Sequence, residues 1–140
     1  MHSTIISLET DDFDEVELFE YMGSEWPGID YVKRNDQSTL GSVLENLQSF
    51  DVPIKDGCLV VTKELRDKLD FERRKKIKKF ADEIYGQTRE SAEYDLQMVL
   101  EDYPYEEYVV IDQEVITLSR FLRTWEPGEY VVTETFDYHY

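Results

Sequence analysis

Two histidines and one cysteine are all that this chain holds of the side chains that most often carry nucleophilic or metal chemistry. With Cys58 alone, an intramolecular disulfide and a multi-cysteine metal site are both excluded. Cys58 opens the apolar run Cys58-Leu59-Val60-Val61 and reads as a small core residue. His2 and His139 stand at the extreme ends and in no motif. A Ser-His or Cys-His pair would have to be assembled from a terminus. The six glycines are all single, so no phosphate-cradling glycine loop exists. No HExxH motif or EF-hand loop is present either. The sequence therefore predicts no catalytic residue and no cofactor.

Long apolar runs are missing as well. No stretch approaches the roughly 18 residues of a membrane span. The opening Met1-His2-Ser3-Thr4-Ile5-Ile6 lacks the basic region and apolar core of a signal peptide. A cytoplasmic protein without a membrane partner is the expectation.

Basic side chains are scarce: 15 Lys and Arg face 32 Asp and Glu, a net charge of −17 over 140 residues. A small domain needs a net charge of only about 2–8 for solubility. The excess destabilises a compact fold by self-repulsion. Adaptation to high salt fits poorly with eight lysines and many large aliphatic side chains. A basic partner, steered in by the field, fits better. The chain is not a disordered acidic tail, because ten Tyr, seven Phe and two Trp supply core material.

The remaining sequence reads as one α+β domain over residues 1–140, with a small mixed or antiparallel sheet and four to five helices on one of its faces. Residues 3–8 form a β-branched strand. Asp11 or Asp12 caps a helix, Glu15 stands in capping-box spacing, Phe13, Val16 and Phe19 form the buried face, and Gly23 ends it. Residues 24–37, with Trp26-Pro27-Gly28, read as a turn region. Ser38 or Thr39 caps a helix with Leu40, Val43, Leu44 and Leu47 at helical spacing. Residues 51–57 read as a loop and 59–61 as a buried strand. Residues 63–85 are helical, breaking near Asp70, with Ile77, Phe80, Ala81 and Ile84 as the apolar stripe and Gly86 as the stop. Thr88 starts a helix over 89–102 whose stripe is Ala92, Leu96, Val99, Leu100 and Tyr103. Strands over 108–111 and 115–117, a short helix over 118–125 with Phe121 and Leu122 inward, and a strand over 129–138 complete the chain.

Charge is unevenly spread. Residues 63–79 hold nine bases and four acids, a local +5, whereas residues 1–62 carry −10 and residues 80–140 carry −12. The run Arg73-Arg74-Lys75-Lys76-Ile77-Lys78-Lys79 could be a nucleic-acid patch, but the acidic remainder repels a polyanion. It reads better as a solvated face that balances neighbouring carboxylates. It could also dock on the acidic face of a second copy, giving a homodimer through helix 63–79.

Two acidic clusters are the candidate binding residues. Asp11, Asp12, Asp14, Glu15, Glu17 and Glu20 crowd the first. Glu90, Glu93 and Glu101 share one face of helix 89–102, flanked by Asp95 and Asp102 and followed by Glu106 and Glu107. Either cluster alone could be an ordinary solvated face. Together they imitate the closely spaced charges of a nucleic-acid backbone. Tyr103, Tyr105, Tyr108, Tyr138 and Tyr140 lie among or near these acids, and the exposed ones among them would suit Arg and Lys through cation–π contact.

The sequence therefore points to an acidic, non-catalytic mimic of nucleic acid. Its partner would be a basic nucleic-acid-binding protein such as a nuclease, restriction enzyme or CRISPR effector, with no direct contact to nucleic acid. In size and charge alone the chain resembles phage and plasmid anti-defence proteins. An immunity protein or antitoxin against a basic nuclease toxin is the second reading. A metal-dependent enzyme, with Mg²⁺ held by Asp11, Asp12 and Asp14, is the third.

Overall fold

A computed structural model describes residues 1–9, 13–25, 28–100 and 105–140, the side chains of Glu25 and Leu100 excepted. Among these residues are seven strands and five α-helices: β1 (His2–Leu8), α1 (Glu15–Glu25), β2 (Tyr31–Arg34), α2 (Leu40–Ser49), β3 (Ile54–Lys55), β4 (Cys58–Val61), α3 (Lys63–Glu83), α4 (Arg89–Leu100), β5 (Tyr108–Ile111), β6 (Glu114–Thr117), α5 (Leu118–Thr124) and β7 (Gly128–His139).

All strands join one sheet, in the order β3-β4-β7-β1-β5-β6 with β2 also on β7. The sheet is mixed: β1 and β5 run parallel, and every other pair is antiparallel. The long β7 is its spine. Its start pairs with β4, its end with β2, and most of its length with β1. Two tight hairpins close on residues in the left-handed region, Asp56-Gly57 between β3 and β4 and Asp112-Gln113 between β5 and β6. Two-residue hairpin turns require that conformation because it matches the strand twist.

The helices cover both faces of the sheet rather than one. Ile6, Leu8, Val109, Ile111, Ile116 and Val132 point to the face covered by α2, α5 and the start of α3. Ile5, Val110, Val115, Phe136 and Tyr138 point to the face covered by α1. Neighbouring residues alternate between the two clusters, as strand geometry demands. In β7 the even-numbered residues change face between Val132 and Phe136. The cause is an irregularity in register: Ser7 pairs with Glu134 and Leu8 with Val132, leaving Thr133 as an extra residue. One inserted residue inverts the side-chain alternation beyond it.

Several local expectations need correction. Helix α1 is capped by Asp14, whose carboxylate accepts from Glu17 N at 2.8 Å, and it runs through Gly23. Its buried residues are Leu18 and Met22, with Phe13 packed alongside, while Val16 and Phe19 face outward. The later start moves the buried stripe by two to three positions. Asp11 and Asp12, expected as caps, lie outside the described residues. The turn region 24–37 contains β2, and the loop 51–57 contains β3. The 3-10 turn Gln37–Thr39 ahead of α2 is capped by Asp36, which accepts from Ser38 N. That N–H, and then the Ser38 hydroxyl, hold the Asp36 carboxyl below its ordinary value.

Helix α3 is continuous across Asp70. Its cap is Thr62, whose hydroxyl accepts from Leu65 N. At 21 residues it is about 31 Å long. Its first half packs into the core through Leu65 and Leu69. Its second half packs against α4, which starts at the Thr88 cap. The two form an arm. Phe80, Ala92 and Val99 are half-buried there, but Ile77, Ala81, Ile84 and Leu96, expected inside, are exposed. A two-helix hairpin can shelter only one narrow seam, so residues at its margins stay wet.

Candidate partner-binding surface

Burying Leu18 and Met22 turns the opposite side of α1 to solvent. Asp14, Glu15, Glu17 and Glu20 are all exposed. Asp14, Glu17 and Glu20 follow one another at three-residue steps, which sets neighbouring carboxylates roughly 5–6 Å apart. No basic residue occurs in the helix. None of the four carboxylates makes an ion pair among the described residues. Glu15 is tied down only through Arg34 N, which donates to its Oε1 at 3.0 Å. Set among these acids are Val16, 66% exposed, and Phe19, 41% exposed. The face thus combines unneutralised negative charge with apolar contact area.

The second cluster lies elsewhere. Glu90 and Glu93 are exposed on α4, beside an exposed Tyr94. Glu93 is paired with Arg89 at 2.9 Å. Asp95 is half-buried and accepts from Gln87 Nε2 at 2.6 Å, inside the groove between α3 and α4. Helix α1 covers one face of the sheet, while α3, against which α4 packs, covers the other. The two clusters therefore do not merge into one ladder. Glu101, Asp102 and Tyr103 lie outside the described residues.

The last acids frame the start of β5. Glu106 is exposed, and its carbonyl accepts from Tyr138 Oη at 2.8 Å. Glu107 is half-buried; burial raises its carboxyl above the ordinary value, partly offset by the backbone N–H groups of Glu107 and Glu106. Tyr105 is half-buried, and its hydroxyl donates to the Asp51 carbonyl at 3.2 Å. Burial also raises the Tyr105 and Tyr138 phenols. Tyr108 and Tyr140 are half-buried and Tyr138 is buried, so the expected display of these tyrosines beside acids does not occur. The exposed tyrosines are Tyr21, Tyr31, Tyr85 and Tyr94.

Sequence reasoning missed one constellation. The β1–β7 register places His2 opposite His139, with ring centroids 4.6 Å apart. His2 Nδ1 lies 3.1 Å from Asp137 Oδ2, and His139 Nδ1 lies 2.6 Å from Asp30 Oδ2. Tyr31 stacks on His139, and its hydroxyl donates to Asp137 at 3.3 Å. Partial loss of solvent, then the Asp137 carboxylate, hold that phenol above its ordinary value. Residues 137 positions apart meet only because the first and last strands pair, and no local pattern announces that. Among the described residues no group of three or more His, Cys, Asp or Glu could hold a metal ion. No described helix is long and apolar enough to cross a membrane. Cys58, at the start of β4, is half-buried.

Compared with protein-family models, curated proteins and solved structures, the chain matches none.

Proposed function

We propose that this chain is an acidic, non-catalytic binding protein that inhibits a basic DNA- or RNA-handling protein by occupying its nucleic-acid site. The observation that carries this reading is the outward face of α1. Its four exposed carboxylates have no cation to neutralise them, and Val16 and Phe19 stand exposed among them. Internal stability does not call for such a face, since like charges at helical spacing repel. A partner with Arg and Lys at phosphate spacing would neutralise the acids, and its apolar or aromatic groups would cover Val16 and Phe19. Anti-restriction and anti-CRISPR proteins of phages and mobile elements act in this chemical class, in the host cytoplasm.

A second reading is favoured by the separation of the two clusters on opposite sides of the sheet. An immunity protein or antitoxin needs only one compact acidic patch against its toxin, and α1 alone provides one. Both readings share the α1 face, and the partner distinguishes them.

The test is capture of the partner from the native host, with wild type compared with Glu17→Lys/Glu20→Lys. Enrichment of a basic nucleic-acid protein, released by salt and lost in the variant, is the expected result. Salt-insensitive retention, or equal capture by the variant, overturns the proposal. Release of the captured partner by competing DNA or RNA supports the mimic, while its failure to compete supports the immunity reading. Measurable Mg²⁺- or Mn²⁺-dependent nuclease activity would instead mark an enzyme.

A further inference from the structure

The helical arm differs in charge from everything else in the molecule. Residues 63–100 hold ten bases and nine acids, whereas the rest of the chain holds five bases and 23 acids, or −18. The arm is also where apolar side chains are left uncovered: Phe71, Ile77, Ile84, Tyr85, Tyr94, Leu96 and Met98 are all exposed. Ile77, Ala81 and Ile84 recur at helical spacing along α3, and Leu96 borders the facing seam of α4. The groove between the helices, about 250 Å³, is lined by Lys76 and Lys79 as well as Glu83 and Asp95, with Phe80, Met98 and Val99 at its base.

We infer that the α3–α4 arm is a self-association surface, on which the arm of a second copy packs to form a four-helix bundle. Charge selects this occupant. Two molecules of −17 repel wherever carboxylates meet. The arm is near neutral, so two copies approach there at the lowest electrostatic cost. A groove bearing both signs suits neither a polyanion nor a polycation. It suits a second copy of itself, because a two-fold contact places the same patch on both sides. Within the arm, residues 71–80 carry +5 and α4 carries −2. α3 of one copy therefore faces α4 of the other, since α3 on α3 would oppose like charges.

Area agrees. The accessible surface is 9051 Å². A compact monomer of 16.7 kDa exposes about 7,600 Å². The excess, roughly 1,400 Å², exceeds the roughly 800 Å² per partner that a standard interface covers. Burying the margin residues Ile77, Ile84 and Leu96 would convert an open hairpin into a bundle with a closed core.

The test is the mass of the full chain by light scattering at roughly 100 μM, where a contact of micromolar affinity is saturated. The expected mass is twice 16.7 kDa. Ile77→Glu/Leu96→Glu should weaken association by about 100-fold or more while leaving the circular dichroism spectrum unchanged. To separate loss of contact from loss of fold, Lys75→Glu/Lys79→Glu is made in one chain and Glu90→Lys/Glu93→Lys in another. Each alone should be mainly monomeric, and mixing them should restore the doubled mass. A monomeric wild type, or an unchanged mass for Ile77→Glu/Leu96→Glu, overturns the inference. Failure of the mixed pair overturns the α3-on-α4 arrangement. Retention of labelled DNA by a monomeric wild type, lost in Lys75→Glu/Lys79→Glu, would assign the arm to a polyanion instead. Glu17→Lys/Glu20→Lys should leave the doubled mass intact, so this result and the identity of the acidic face's partner fail independently.

Discussion

Helix α1 and the α3–α4 arm use charge and apolar surface in opposite ways. In α1 the core side is settled: Leu18 and Met22 are buried against the sheet, and the carboxylates opposite have no cations. In the arm the charges are settled. Lys63 pairs with Asp67, Arg74 with Asp70, Lys78 with Asp82 and Arg89 with Glu93, each four residues apart. The bond from Lys78 to Asp82 holds the ammonium above its ordinary value. What the arm leaves open is apolar. One region offers unneutralised charge on a firmly anchored helix, and the other offers uncovered apolar surface on a charge-balanced hairpin. Long-range attraction of a basic partner belongs to the first, and short-range packing to the second.

That contrast can be broken most forcefully in the core. Leu18→Ala should cost about 2–5 kcal/mol in urea unfolding, because Leu18 is fully buried. Tyr85→Ala, at a residue 98% exposed on the arm, should leave the urea midpoint unchanged. Equal losses at both sites would make the arm part of the core and end the distinction. Next in size is Glu17→Lys/Glu20→Lys. It should weaken partner binding by at least about tenfold, or 1.4 kcal/mol, with a shallower salt dependence and an unchanged unfolding midpoint. Calorimetric titration at two salt concentrations checks both parts.

Thr62→Ala removes the hydroxyl that caps α3 and should cost about 1 kcal/mol in urea. The loss should appear in global unfolding, since Leu65 and Leu69 tie that end to the core. The smallest effect concerns Glu107, the half-buried acid that differs from those on α1. Its folded carboxyl is raised by burial, so the native state holds that proton more tightly than the unfolded state. Ionising it costs stability. The cost is absent below the unfolded value and complete above the folded one. Glu107→Gln should therefore raise the urea midpoint slightly at neutral pH, with the gain disappearing as pH falls through the carboxylate range. A gain that persists unchanged at low pH would show another cause.

Much of the local structure was legible. Thr62 and Thr88 cap helices where their spacing placed them, and Leu44 and Leu47 are buried as their helical spacing required. The strand near the C-terminus runs as its β-branched and aromatic residues indicated. Misreadings arose where two local patterns competed. Phe13, Val16 and Phe19 follow a helical period as well as Leu18 and Met22 do, and only the sheet beneath decides which stripe is buried. In the arm, Ile77 and Leu96 follow core spacing, yet a hairpin without further neighbours cannot cover them. The acids were legible as clusters, but their placement on opposite sides of the sheet was not, because it depends on which face each helix covers.

Composition and spacing determined an acidic α+β chain with one basic helix, since charge count and periodicity are properties of the chain itself. Tertiary structure decided which carboxylates stay without cations, which apolar stripe is left in water, and that His2 and His139 stand side by side. Those outcomes depend on strand order, on the extra residue at Thr133, and on two sheet faces available to the helices. None of them is a property of neighbours in sequence.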